Sequence, residues 1–340
     1  MRTFKCIMKF SHQMNSEDII KSTSKVLPEL NLDNCKSVPI NNGGSDRDYY
    51  RISLVDGSSM IVMQYTSDRP DNIKFDPATK ILKKNGICSP EIIYHDKENM
   101  IMWLEDLGSD HLWDHRDSEW NKRGKLYLTV IDEISKLHSN NEKNLSSNDI
   151  SQLEPGFDKD LYKWEQDYFF DHFLSYYSRR APSYQDSLRQ ESEFNKLIEN
   201  LISSERFLIH RDLQSQNIII HKKKPYFIDY QGLRLGLREY DIASLVYDPY
   251  VTFTKTQRDE IINYAFKDRD KNEWGPLFEA CSCQRLMQAL GAYSRLGNEL
   301  GKTEFLKFIP RALENIREIL ENSDILPRLT PYLSEEAISL

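Results

Sequence analysis

Apolar positions recur along this chain with two different periods, and the change between them divides it. Residues 16–30 carry Ile19, Ile20 and Val26 at helical spacing, with Ser16 in the N-cap place, and predict an amphipathic helix. Beyond it the pattern shortens into strand-like pieces separated by turn residues. Residues 49–54 and 60–65 flank Asp56-Gly57 and predict a hairpin. A helical stretch over residues 77–84 stops at Asn85-Gly86, a C-terminal cap signal, and two more strands follow at 91–94 and 100–104. From Asp106 onward helical periods dominate: residues 122–138, 158–177, 190–202 and nearly all of 256–322. In that half only residues 207–209, 218–220 and 226–228 read as strands. The expectation is an α+β chain. A β-rich N-lobe over residues 1–105 joins a mainly helical C-lobe over residues 106–340, with a cleft as the natural place for a site.

Composition narrows the classes of partner. The 340 residues are ample for a real core, and 18 Tyr, 15 Phe and 5 Trp argue against disorder. A formal net charge of −8 argues against a nucleic-acid partner, which would require surplus Lys and Arg. The cysteines Cys6, Cys35, Cys88, Cys281 and Cys283 are scattered without metal spacing and read as reduced structural thiols of a cytoplasmic protein. No apolar run is long enough to span a bilayer, and the first residues lack the sustained apolar core of a signal peptide. Periodic structure begins near Ser16, so Met8 and Met14 serve as well as Met1 for a start. No obligate protein partner is evident.

The informative segment runs from 207 to 246. It holds His210-Arg211-Asp212, then Asn217, then Asp229 at the end of an apolar strand. Phosphoryl transfer needs a carboxylate to orient and deprotonate the attacking hydroxyl, and oxygen ligands to hold magnesium on the phosphates. Magnesium keeps several waters, so one carboxylate and one amide oxygen are a sensible protein share. Asp212 supplies the first function, and Asn217 with Asp229 supply the second. The strands on either side of Lys222-Lys223-Lys224 would bring Asn217 and Asp229 together across a ladder.

This segment resembles the catalytic loop and metal-binding segment of the protein-kinase superfamily. Ile228-Asp229-Tyr230-Gln231-Gly232, followed by Tyr240-Asp241-Ile242-Ala243, points to its aminoglycoside-phosphotransferase-like small-molecule branch. Residues 42–51, 81–90, 103–108 and 283–296 are similar to bacterial kinases that phosphorylate the anomeric hydroxyl of N-acetylmuramate or N-acetylglucosamine. The resemblance covers roughly residues 42–320. It implies a two-lobed protein-kinase-like fold, ATP and Mg2+ as cofactors, and a small-molecule hydroxyl acceptor. It also implies that Asp241 and Arg211 support the catalytic loop, and that Gly43, Gly44, Ser45, Glu105 and Leu107 lie at the nucleotide, with Leu104 near the base. An aminoglycoside or choline-like acceptor stays open beside the amino sugar, as does an inactive nucleotide-binding regulator.

One departure concerns the nucleotide. The strand over residues 60–65 has no Lys, and the following helix offers only Asp76 as its acid. Arg47 or Arg51, beside Gly43-Gly44-Ser45, is the expected substitute at the phosphates. Elsewhere two readings stand side by side. Glu105 to Gly108 is a hinge facing adenine or a surface turn with solvated acids. Trp164 and Tyr168 are core packing by default and a sugar-stacking pair as the alternative. Gln284, Gln288 and Arg295 share a polar stripe that is a solvated face by default and an acceptor pocket wall as the alternative.

Overall fold

The computed structural model describes residues 14–40, 47–67 and 70–340. The chain divides into two compact units, Met1–Asp76 with Pro90–Leu107, and Pro77–Ser89 with Gly108–Leu340. In the first unit α1 (Ser16–Val26) is capped by Asn15 rather than Ser16. The Asn15 side chain accepts from the Glu17 and Asp18 backbone, and the Asp18 carboxylate accepts from the Asn15 N–H. The helix stops short of residue 30 because Pro28 disfavours helical backbone in the residue before it, and Leu27 turns to φ −128° and ψ 64°.

Five strands follow: β1 (Lys36–Ile40), β2 (Asp48–Ser53), β3 (Ser59–Gln64) and, after α2 (Phe75–Lys84), β4 (Ile92–Asp96) and β5 (Ile101–Glu105). They form one sheet in the order β1-β2-β3-β5-β4, every pair antiparallel. The expected hairpin is β2 with β3, Ile52 opposite Met60. The apolar pattern did not mark β1, because this edge strand keeps Val38 exposed and contains Pro39. Ile19, Tyr50, Ile52, Val62, Ile101 and Trp103 form the buried core of this unit. The Trp103 indole N–H donates to Thr23 Oγ1 at 2.8 Å, which satisfies its one polar atom inside that core.

The second unit is helical apart from two strand pairs. Its helices up to the catalytic segment are α3 (Trp120–His138), α4 (Ser147–Gln152), α5 (Lys159–Phe169), α6 (Ser175–Tyr177), α7 (Pro182–Arg189) and α8 (Ser192–Ile202). The helix expected over 158–177 is continuous, but a π-turn at Phe170–Leu174 carries α5 into α6. Then come β6 (Phe207–Ile209), β7 (Ile218–His221), β8 (Lys224–Phe227), β9 (Arg234–Gly236) and α9 (Arg238–Val246). β7 pairs with β8 as expected, and β6 pairs with β9, a strand the pattern did not mark. The long helical run of the C-terminal third resolves into α10 (Lys255–Ala265), α11 (Lys271–Asn298) and α12 (Ile309–Glu321).

α11 is the axis of this unit, with α5, α9 and α12 packed on it. Residues 280–291 of α11 are buried without exception, so Gln284 and Gln288 of its polar stripe do not lie on a solvated face. A Cβ at Gly291 would lie 2.8 Å from the Tyr168 carbonyl, so the bare backbone there lets α5 and α11 approach closely. Gln284, Arg285 and Gln288 are therefore inside the protein, where polar groups need hydrogen-bond partners.

Candidate active site

The loop between β6 and β7 carries residues 210–217, and two buried carboxylates hold it. Asp241 on α9 has no exposed surface. Its Oδ2 accepts from the His210 backbone N–H at 2.8 Å, and its Oδ1 accepts from the Arg211 N–H at 2.8 Å. His138 Nε2 lies 2.9 Å from the same Oδ2. Asp248, just past α9, accepts from the backbone N–H and the hydroxyl of Ser215, at 2.8 and 2.6 Å. Burial pushes the Asp248 carboxyl up, and the bonds from Ser215 oppose that. Sequence reasoning found Asp241 and missed Asp248. Its signal, a second Asp seven residues after Asp241, lies just beyond the 207–246 segment. Held this way, Arg211 takes φ 78°, a left-handed conformation that a long side chain rarely adopts.

Asp212 projects from this clamped loop into a group of guanidinium ions. Arg211 Nη1 donates to Asp212 Oδ2 at 2.8 Å, and Arg285 Nη2 from α11 stands 3.5 Å from Oδ1. Burial pushes the Asp212 carboxyl up, but Arg211, then Arg285, His210 and Arg234 outweigh it and hold the group at about 2. Arg285 is buried, and it donates to Ser244 Oγ at 3.2 Å and to Gln288 Oε1. Arg234 is buried too, its Nε donating to the Gly232 carbonyl at 3.0 Å. A second acid stands behind them. Glu165 on α5 has no exposed surface and accepts from Tyr240 Oη at 2.9 Å and Gln284 Nε2 at 3.1 Å. Burial raises the Glu165 carboxyl, and Arg211 is the strongest charge opposing that rise. Arg234 and Arg285 come from other elements than the loop, and nothing in the sequence places them beside Asp212.

Asn217 and Asp229 do come together. The Ile228 N–H donates to the Asn217 carbonyl at 3.0 Å, continuing the β7–β8 ladder by one step and setting Asp229 next to Asn217. Asn217 Nδ2 donates to the Asp212 carbonyl at 2.9 Å, so the donor half of the amide faces the loop and leaves its oxygen for another partner. Asp229 sits at φ 59° and ψ 35°, a second left-handed residue at the strand end. One carboxylate and one amide oxygen are the hard donors that magnesium takes from a protein, with water and phosphate completing the shell. Among the described residues no three His, Cys, Asp or Glu side chains cluster to hold a metal by themselves.

The remaining expected site residues fall in different places. Gly43, Gly44 and Ser45 lie outside the described residues. Arg47 is buried in the first unit, with Nε on Asn72 Oδ1 at 2.6 Å and Nη2 on Asp71 at 3.2 Å. Two of its guanidinium nitrogens are thus engaged by Asn72 and Asp71. Arg51 donates twice to Asp106, at 2.6 and 3.1 Å. Glu105 ends β5, and Leu104 and buried Leu107 lead to Gly108 at φ 86°, where the chain passes into the second unit.

Among the acceptor candidates, Gln284 has to be corrected. It has no exposed surface, and its amide donates to the Tyr162 carbonyl and to Glu165, so it is part of the support under Tyr240 and Glu165. Gln288 is also buried and holds Arg285. Trp164 is not core: it is 47% exposed and stacks on Tyr168 with ring centres 4.9 Å apart. Arg295 is exposed and donates to Tyr168 Oη at 3.3 Å. Those two are the expected acceptor residues that reach the surface.

The phosphotransferase enzyme family matches residues 37–277. An N-acetylmuramate/N-acetylglucosamine kinase of Neisseria meningitidis serogroup B is 23% identical over 285 residues, covering 80% of this chain and 82% of that kinase. Among solved structures, a Plasmodium vivax ethanolamine kinase superposes with a TM-score of 0.64 at 15% identity, covering 89% of this chain and 90% of that one. An amicoumacin kinase in complex with AMP-PNP and Ca2+ superposes with a TM-score of 0.62 at 14% identity, covering 93% and 98%. The fold is thus the two-lobed, protein-kinase-like α+β fold. Among the described residues no helix is long and apolar enough to cross a membrane. The loop geometry and the match over most of the chain lead to one assignment: the protein belongs to the phosphotransferase enzyme family and is a small-molecule kinase.

Proposed function

We propose that this kinase transfers the γ-phosphoryl group of ATP to a hydroxyl of an amino sugar of the N-acetylmuramate or N-acetylglucosamine type, in the cytoplasm. The observation that carries the acceptor class is the charge around Asp212. Three guanidinium groups, from Arg211, Arg234 and Arg285, act on this one carboxylate. Beside Asp212 these guanidinium groups favour a neutral or acidic sugar over a choline-like or aminoglycoside cation. The names of the curated relatives agree with that choice.

In this reading Asp212 orients the acceptor hydroxyl and takes its proton as transfer proceeds. A carboxylate held at about 2 is a weak base, so its main contribution is alignment, with the proton moving late in the step. Asn217 and Asp229 hold Mg2+, which would offset charge on the phosphates. Asp241 fixes the loop backbone, and Arg211 supports the Asp212 side chain. The segment from Glu105 to Leu107 offers its backbone to adenine. Trp164 and Arg295 form an outer contact for the acceptor.

The test is ADP release from Mg-ATP against N-acetylmuramate, N-acetylglucosamine, simple hexoses, kanamycin and choline, with Asp212→Asn as the blank. Turnover confined to N-acetyl sugars is expected. Turnover with choline or kanamycin and none with a sugar would refute the acceptor class and leave the transfer chemistry standing. Omitting Mg2+ in excess EDTA should abolish turnover, and undiminished turnover there would remove Asn217 and Asp229 from the metal role.

A further inference from the structure

We propose that Arg285 is a positioning residue for Asp212, fixing the rotation of its carboxylate so that Oδ1 is the oxygen presented to the acceptor hydroxyl. The inference rests on the phosphotransfer reading of Asp212. The two oxygens of this carboxylate have unequal surroundings. Oδ2 accepts a 2.8 Å hydrogen bond from Arg211. Among the described residues Oδ1 accepts no hydrogen bond, and its ion-pair contact is the Arg285 guanidinium at 3.5 Å, beyond hydrogen-bond length. Oδ1 is therefore the less engaged oxygen, the one with more hydrogen-bonding capacity left for a hydroxyl.

Arg211 alone is a poor guide for it. The last torsion of an aspartate is broad, and a single contact from the adjacent residue leaves the carboxylate able to turn about it. A second contact from a distant element removes that freedom. Arg285 is suited to give it because its own position is fixed: it is buried, tied to Ser244 on α9 and to Gln288 one turn along α11. α9 thereby controls the loop twice. Asp241 holds the His210 and Arg211 backbone, and Ser244 holds the guanidinium that faces the Asp212 side chain. A purely structural explanation, in which Arg285 balances the charge of Glu165, is less direct. Glu165 already has hydrogen bonds from Tyr240 and Gln284, and it feels Arg211 more strongly than Arg285.

The experiment compares wild type with Arg285→Met, Arg285→Lys and Ser244→Ala in the full chain. Kinetics are read with the acceptor that wild type uses or, in its absence, as ADP release into water. Arg285→Met should lower kcat by on the order of 10²-fold, the size expected of a misplaced catalytic group, while KM for ATP stays within about twofold. Arg285→Lys keeps the charge without the planar fork and should recover part of the loss. Ser244→Ala should fall between Arg285→Lys and wild type. On an Asp212→Asn background, Arg285→Met should cause no further loss, because a residue that acts through the carboxylate has nothing left to act on. Multiplication of the two losses, or a rise in KM alone, would overturn the proposal. Crystal structures of the Met and Lys variants supply an arm that needs no acceptor: the Asp212 carboxylate should be turned in the first and restored in the second. A carboxylate unmoved in both overturns the proposal whatever the acceptor proves to be, and a failed sugar assay leaves this arm intact. Should Arg285→Met not fold, Arg285→Lys and Ser244→Ala carry both readouts.

Discussion

The arginines around Asp212 in the second unit are used differently from the two described in the first. Among the described residues of the first unit, Arg47 pairs with Asp71 and Arg51 with Asp106. In the second, Arg211, Arg234 and Arg285 converge on Asp212, with Glu165 as the other acid behind them. Ion pairs of this kind hold structure. A surplus of like charge opposes its own burial. Burial lowers the Arg234 guanidinium below its ordinary value, and the Arg211 charge lowers it further. Such an arrangement persists where the surrounding structure forces it and a function uses it. The contrast separates arginines that hold the sheet of the first unit from arginines that converge on Asp212.

The largest test of that contrast is Asp212→Asn. It removes the charge on which the second set converges, and phosphoryl transfer should fall by on the order of 10²–10⁴-fold, read as kcat/KM. A loss smaller than about tenfold would break the comparison at its centre. Next in size is Asp241→Asn, which disturbs two backbone hydrogen bonds at a site without exposed surface. Bonds to a charged group contribute about 1.5–3 kcal/mol each, so urea unfolding should show a loss of about 3 kcal/mol with activity falling alongside it. Full stability with lost activity would move Asp241 from support of the loop to the chemistry itself.

Arg47→Met sharpens the comparison from the other side. It should cost about 2 kcal/mol by removing the guanidinium bonds to Asp71 and Asn72, and the folded variant should keep kcat and KM for ATP within about twofold. A tenfold rise in KM for ATP would return Arg47 to the phosphates and dissolve the distinction between the units.

How much of this was legible in the sequence follows from how each feature is encoded. Asp212, Asn217 and Asp229 lie in one short segment whose strands and turn are local, so spacing alone brought them together. Arg234 and Arg285 reach Asp212 only through the packing of β9 and α11, and sequence separation hides such convergence. The polar stripe of α11 misled for a different reason. A helical period shows that Gln284 and Gln288 share a face, but a buried hydrogen-bonded face and a wet one have the same period. Trp164 erred the other way, since an aromatic pair at helical spacing looks like core even when one ring is at the surface. β1 escaped notice because an edge strand with an exposed Val38 has little apolar alternation to show.

The smallest expected effect concerns strain of two kinds. Arg211 and Asp229 adopt left-handed backbone at the site, and Lys222 and Lys223 adopt it in the β7–β8 turn, at φ 49° and 64°. His221 opposite Lys224 leaves a two-residue turn with both central residues at positive φ, a geometry that favours Asn-Gly. The turn lies at the exposed end of the hairpin, away from the Asn217 end that meets Asp229. Replacing Lys222-Lys223 by Asn-Gly should therefore relieve strain without touching the chemistry, raising stability by about 1 kcal/mol with kcat unchanged. The corresponding relief at Arg211, as Arg211→Gly, should lower kcat, because there the left-handed residue also carries the guanidinium on Asp212. If the Asn-Gly turn lowered kcat as well, the β7–β8 hairpin would have to be counted as part of the device that places Asn217 and Asp229, and the boundary between structural and functional strain would move out to its tip.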